Sequence, residues 1–359
     1  MPTKEQVMDS LSQVIVPDVM RSLVEMNLVR DVTISDHKID IKLAASAIGK
    51  ESQEWLKNRV EETIKGIDGK TNIDISFEAI PPKEVNQITK VIAIMSGKGG
   101  VGKSLVSGLT AMALRRQGCS VGILDADVTG PSIPKMFGIN TRPGCSENGI
   151  LPLPTKTGIE VMSLNLLLPD ESEPVIWRGP IIGKVITQFW EEVLWGQLDY
   201  LIVDLPPGTA DAPLTVLQQL PVSGIIIVSS PQDLASMIVK KAVNMALKMN
   251  KPIVGVVENM SYLYVSEINK KIELFGKSRG EEMAQSARAP LLAQLPIDPE
   301  LAKLCDQGEI EHYTSENVEK YGEKLRKALA AVSCCNPSSG STCCGRDQRC
   351  SDAGGCCGH

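Results

Sequence analysis

Five short runs in the middle of the chain are apolar at nearly every position: residues 91–95, 121–124, 200–203, 225–228 and 253–257. Strands apolar on both faces belong in a parallel sheet covered by helices. Stretches compatible with helix separate the runs, so residues 89–332 are expected to form a doubly wound, mostly parallel α/β domain. Ligand in such a fold binds at the carboxyl ends of the strands. A closing helix over about 315–332 places Val318, Tyr321, Leu325 and Leu329 on one stripe.

Residues 1–79 follow a different pattern and predict a small α/β domain. Residues 5–16 read as a helix, 32–34 and 39–43 as two strands around a polar turn, and 72–77 alternate like a last strand. Residues 52–67 have helical periodicity, with Trp55, Val60, Ile64 and Ile67 near one face. Pro81 and Pro82 mark a linker over 80–88, because proline blocks both helix and ladder hydrogen bonds. The tail, 333–359, is rich in Gly, Ser and Cys, and is expected to stay disordered unless a metal orders it.

One loop carries explicit chemistry. Gly97-Lys98-Gly99-Gly100-Val101-Gly102-Lys103-Ser104 follows the first apolar run and precedes a helix-compatible stretch. Strand, glycine-rich loop and helix together make a phosphate cradle: backbone N–H groups turn toward phosphate oxygens, and the helix adds its positive end. Lys103 would reach the terminal phosphates and Ser104 would ligate Mg²⁺. Lys98 is one lysine more than the cradle needs, and it can project across a dimer interface onto a partner's nucleotide.

Further carboxylates fall at later strand ends. Asp125 and Asp127 close the second run, and Asp127 is the candidate for orienting the attacking water. Asp204 closes the third run and would serve the metal's outer shell. Residues 205–209, Leu-Pro-Pro-Gly-Thr, read as a switch loop sensing the terminal phosphate. Asn259 follows the fifth run, where an amide can pair with the polar edge of adenine. Pro296-Ile297-Asp298 is a weaker candidate for the same pocket.

Composition narrows the partners. A net charge of −6 argues against broad binding to nucleic acid or anionic membrane. No run approaches the roughly 18 apolar residues of a membrane span, and residues 1–6 do not read as a secretory signal, so a cytoplasmic location is expected. Of ten cysteines, Cys119, Cys145 and Cys305 are scattered and expected to behave as small apolar residues. The others, Cys334, Cys335, Cys343, Cys344, Cys350, Cys356 and Cys357, crowd the tail. In a reducing compartment such a cluster reads as metal-binding.

Taken together, residues 89–332 resemble the Mrp/ApbC family of iron–sulfur cluster carrier ATPases, relatives of MinD and ParA. The stretches that carry the likeness are Ser96 to Ser104, Asp125 to Asp127 with Gly130-Pro131-Ser132, Trp177-Arg178-Gly179-Pro180, Asp204 to Thr209, Ser230 to Asp233, Val257 to Ser261, and Phe275-Gly276. Residues 1–79 resemble the metal–sulfur cluster assembly domain often fused ahead of it. The resemblance implies an Mg²⁺-dependent ATPase, working as a homodimer with Lys98 acting in trans. It also implies a labile cluster, of the [4Fe–4S] type, received from scaffold proteins and passed to apoprotein clients.

This chain departs from that pattern in two places. The family's Cys-x-x-Cys after Asn-Met-Ser-Tyr is replaced by residues 263–270, which hold no cysteine. The first domain's usual reactive cysteine is missing from residues 47–51. Only the tail remains dense in thiols, and three readings of it stay open: a relocated Fe–S site, a store for Zn²⁺ or Cu(I), or a redox-active appendage. A MinD/ParA-like positioning ATPase is the alternative for the whole chain. The mixed charges of its last helix and its acidic balance argue against membrane or DNA docking.

Overall fold

A computed structural model of the chain describes residues 2–17, 19–35, 38–67, 72–127, 132–167, 179–209, 211–232, 234–265 and 268–334; side chains 179–182, 234–238, 333 and 334 are not described. The first domain has a three-stranded sheet, β1 (Val29–Ser35), β2 (Lys38–Ala44) and β3 (Asn72–Glu78). β1 and β2 form an antiparallel hairpin, and β3 runs parallel to β2 after the crossover helix Lys50–Lys65. That helix buries Leu56, Val60 and Ile64, a strict i, i+4, i+8 stripe. Trp55 and Ile67, expected on the same face, are instead 48% and 41% exposed. Val60 and Ile64 face inward as expected, Leu56 takes the buried position one turn before them, and Ile67 falls beyond the helix end at Lys65. The first helix stops at Leu11, short of the expected 16.

The linker is more ordered than its prolines suggest. Pro81 and Pro82 open a short helix, Pro82–Val85, where the missing N–H of proline costs nothing. The next strand, β4 (Gln87–Ser96), begins directly after it.

The second domain is built on an eight-stranded sheet. In chain order, β5 is Val121–Asp125, with β6 (Cys145–Ser146) and β7 (Gly149–Ile150) as a small separate hairpin. Then come β8 (Leu153–Pro154), β9 (Glu160–Ser163), β10 (Gln197–Asp204), β11 (Gly224–Ser229), β12 (Ile253–Glu258), the pair β13 (Leu263–Val265) and β14 (Lys270–Ile272), and β15 (Leu291–Gln294). The large sheet runs in the order β15-β12-β11-β4-β10-β5-β9-β8. All pairings are parallel except β8 with β9, at the edge where proline is tolerated.

The five apolar runs are the five central strands, and helices cover both faces. One face packs the helix Lys103–Arg116 and the closing helix Glu316–Cys334 into a core with Ile92, Ile94, Ile123 and Ile202. Val318, Tyr321, Leu325 and Leu329 are all buried there, and the Tyr321 hydroxyl lies 2.7 Å from Thr110 Oγ1. The opposite face buries Val91, Leu201, Val203 and Ile227 under Ile186, Phe189 and Val239. Three strands of the large sheet, β8, β9 and β15, lay outside the apolar-run signal because they are only two to four residues long.

The domains dock at the sheet's amino-terminal end. Leu151 and Leu194 of the second domain belong to the apolar core of the first. Gly196, at φ +62°, lets the two backbones close: a Cβ there would lie 2.7 Å from Met26 Cα. Gln197 N donates to Glu25 O at 2.9 Å, and Asn27 Nδ2 to Val85 O at 2.5 Å.

Candidate functional site

β4 ends at Ser96 between β11 and β10, and the phosphate loop leaves from there. Gly100 and Gly102 hold φ values of +78° and +79°, which side chains with a Cβ adopt only at a cost. The helix Lys103–Arg116 starts directly after Gly102. Its first-turn N–H groups and positive end therefore face the loop. Ser96 Oγ donates to Lys98 O at 3.0 Å, closing the loop's first turn.

The strand ends bring the predicted polar groups together. Lys103 is buried, with Nζ 2.8 Å from Asp204 Oδ2 and 3.6 Å from Asp127 Oδ2. Ser104 Oγ donates to the same Asp204 oxygen at 2.6 Å, and Ser107 Oγ to the other at 2.5 Å. Asp127 N donates to Asp125 Oδ1 at 3.1 Å, and Ser163 Oγ to Asp125 Oδ2 at 3.2 Å. Full burial, and next the charge of Asp204, push the Asp125 carboxyl well above the usual carboxylate range, against the pull of Lys103.

Ser107 and Ser163 extend the expected constellation. Ser107 has a local signal: it lies four residues after Lys103 and three after Ser104, on one helix face. Ser163 has none, since β9 carries no motif.

A hydroxyl beside a carboxylate under a phosphate loop suits Mg²⁺, which keeps waters and takes one or two protein oxygens. Ser104 Oγ and Asp204 supply that donor set. The residues expected to act as a switch connect to the same strand: Gly208 N donates to Ser96 O at 3.0 Å and Leu205 N to Ile94 O at 3.2 Å.

Other candidates sit differently. Lys98 Nζ contacts Gln232 Oε1 within its own chain. Asn259 is buried, and its Nδ2 donates to Val101 O at 3.0 Å, so it faces the loop's backbone. Asp298 caps the helix Pro299–Gln307 and accepts from Tyr313 Oη at 2.6 Å. Cys145 is exposed, contrary to its expected burial, because its two-residue strand lies at the surface. Cys119 and Cys305 are half-buried, and burial pushes the Cys305 thiol up to about 11.

The places of the two departures are also defined. Residues 263–272 contain the β13–β14 pair, with Tyr264, Ile268 and Ile272 exposed. Ala47 and Ile48 are buried at the domain junction, where Ala47 N donates to Asn148 O at 3.1 Å. Cys335, Cys343, Cys344, Cys350, Cys356 and Cys357 lie outside the described residues, as do the thiol of Cys334, residues 128–131, Trp177, Arg178 and Asp233. Among the described residues no helix is long and apolar enough to cross a membrane.

A glycine-rich loop between a central parallel strand and a helix, with a buried lysine meeting carboxylates at the ends of β10 and β5, defines a P-loop NTPase. Residues 87–332 match the family described as NUBPL iron-transfer P-loop NTPase, and the chain belongs to that family. Residues 4–75 match a second family, described as iron–sulfur cluster assembly protein. A Clostridium perfringens protein named iron-sulfur cluster carrier protein is 47% identical, over 64% of this chain and 84% of its own length. A Helicobacter pylori protein of the same name is 35% identical across 92% of this chain and 93% of its own. A nucleotide-binding protein from Archaeoglobus fulgidus, solved in complex with ADP, is 43% identical with a TM-score of 0.59, covering 65% of this chain and 91% of that one.

Proposed function

We propose that this chain is an ATP-hydrolysing carrier of iron–sulfur clusters, acting as a cytoplasmic homodimer that receives clusters from scaffold proteins and delivers them to apoproteins. The observation that carries the reading is the convergence of Lys103, Ser104, Asp127 and Asp204 under the phosphate loop of a chain in an iron-transfer family. The names of its relatives point the same way.

In this reading the triphosphate lies along Gly97–Ser104, and Lys103 turns from Asp204 to the terminal phosphates. Ser104 and Asp204 would hold Mg²⁺, which when bound would neutralise charge on the phosphate oxygens. Asp127 orients the attacking water, whose oxygen bonds to the γ-phosphorus as the bond to the ADP oxygen breaks. Lys98 swings from Gln232 to the partner's nucleotide and stabilises the charge that develops. The switch loop, tied to Ser96, relays loss of the γ-phosphate and changes the dimer's affinity for its cargo.

An Fe–S cluster needs thiolates. The hairpin at 263–272 has none, so the candidate ligands are the seven tail cysteines, holding a cluster of the [4Fe–4S] type. Anaerobic reconstitution with iron and sulfide, comparing the full chain with one ending at residue 332, tests this. Stoichiometric cluster absorption in the full chain alone is expected. Absorption in neither removes the carrier reading, and equal absorption in both moves the ligands out of the tail.

A further inference from the structure

Ser107 is a polar residue in a buried place. It lies in the interior of the helix Lys103–Arg116 and is fully buried. A hydroxyl there costs stability unless it finds a partner. The usual partner inside a helix is the carbonyl four residues back. Thr110, on the same helix, makes that bond to Val106 O at 2.6 Å, and its Oγ1 also meets Tyr321 Oη. Ser107 Oγ is 3.1 Å from the matching Lys103 carbonyl but 2.5 Å from Asp204 Oδ1. A hydroxyl has one hydrogen to give, and a closer, charged acceptor holds it best. Ser107 therefore bonds out of its helix, to the last residue of β10.

Asp204 is also fully buried, and its backbone is fixed by parallel pairing with β4 on one side and β5 on the other. The plane of its carboxylate is less constrained, because that last torsion has only broad preferences of its own. The two oxygens have different surroundings. Oδ2 meets Ser104 Oγ at 2.6 Å and Lys103 Nζ at 2.8 Å, at the foot of the phosphate loop. Oδ1 meets Ser107. In the cycle proposed above, Lys103 leaves Oδ2 for the terminal phosphates. The bond from Ser107 does not depend on the nucleotide, so it keeps the carboxylate plane in place while Lys103 moves.

We propose that Ser107 is a positioning residue for the metal site: it holds Oδ1 of Asp204 so that Oδ2 stays turned toward Ser104 and available to Mg²⁺. The inference rests on the nucleotide-binding reading of the loop and adds to it a residue that touches neither nucleotide nor metal. A merely structural hydroxyl affects ADP binding alike with and without the metal. A positioning hydroxyl affects only the part of binding that the metal supplies.

The test measures ADP binding to the full chain with Mg²⁺ present and with the metal chelated, alongside each variant's thermal midpoint. Ser107→Ala removes the hydroxyl. Thr110→Val removes a buried hydroxyl of the same helix that faces Tyr321 instead of Asp204. In Ser107→Ala the gain in ADP affinity that Mg²⁺ brings should fall by about tenfold to a hundredfold, the usual cost of losing a group that orients a metal ligand. Affinity without metal should stay the same. Thr110→Val should keep the gain even where its thermal midpoint falls. Ser107→Cys, which fills the space with a weaker donor, carries the test if alanine unfolds the chain, with a smaller loss in the same direction. Equal weakening with and without metal would make the hydroxyl structural and overturn the proposal. So would an unchanged gain in Ser107→Ala, or an equal loss of it in Thr110→Val. If the unaltered chain bound no ADP, or bound it no better with Mg²⁺, the reading of the loop or of its metal pair would itself fail, a result apparent before any variant is made.

Discussion

Two buried cations lie at opposite ends of the large sheet, and their surroundings differ in charge. At the carboxyl end Lys103 meets Asp204 and Asp127, with Asp125 close behind. At the amino end Arg21 meets one carboxylate, Glu160, at 2.6 Å. Its remaining bonds go to the carbonyls of Trp195 at 3.1 Å, Glu25 at 3.0 Å and Gln197 at 2.6 Å. The Arg21 end is balanced in charge, and its planar fork is used across the domain junction, as suits a permanent clasp. The Lys103 end carries more negative charge than one ammonium offsets. Such a site is completed by added cation, which fits one that binds Mg²⁺ with a polyphosphate. β10 joins the two, from Gln197 at the clasp to Asp204 at the loop, roughly 23 Å of strand.

The comparison breaks first at the clasp. Arg21→Ala strips the buried Glu160 carboxyl and three junction carbonyls of their shared donor, which costs about 3–5 kcal/mol. Denaturant unfolding should show that loss, with the first domain releasing before the second. A loss under 1 kcal/mol would mean the junction does not depend on the clasp. At the other end Lys103→Ala takes the counter-charge from the buried Asp204, so its thermal midpoint should fall too, and in the folded variant ATP turnover should drop by about 10²–10³-fold, the usual cost of one transition-state charge contact. Steady-state hydrolysis measures it, and unchanged turnover would show the phosphate contact is misassigned.

Glu160→Gln should have the smallest effect. Burial raises the Glu160 carboxyl from its ordinary 4.5 to about 7, against the pull of Arg21. The folded chain then binds a proton between those pH values that the unfolded chain does not. Stability from this group is full below about 4.5 and is lost as pH rises through about 7, at most about 3 kcal/mol. The amide removes that part of the slope and stays within about 1 kcal/mol of the parent at neutral pH. Unfolding free energies at pH 5 and pH 8 give the comparison, and an unchanged slope would place the titration elsewhere.

How much of this was legible in the sequence follows from the range of the interactions. The phosphate loop is one contiguous segment, and the strands that carry Asp125 and Asp204 announce themselves as unbroken apolar runs. Arg21 and Glu160 are 139 positions apart, and no local pattern joins them. A hint existed in Ile159-Glu160-Val161-Met162, where a charge inside an apolar run asks for a buried partner. Asn259 lies directly after its strand, and its amide also meets a backbone carbonyl, a partner no sequence can display. Trp55 illustrates a different limit: residues 55 and 56 are both apolar, and which one faces inward depends on a rotation that only packing against the sheet decides.

The most direct test of the link between nucleotide and cargo is the rate of cluster transfer. The reconstituted full chain is mixed anaerobically with an apoprotein acceptor, with and without Mg²⁺ and ATP, beside Lys103→Ala treated identically. ATP is expected to change the transfer rate of the unaltered chain and leave that of the variant unchanged. Equal rates with and without ATP in the unaltered chain, while it hydrolyses nucleotide normally, would contradict the account.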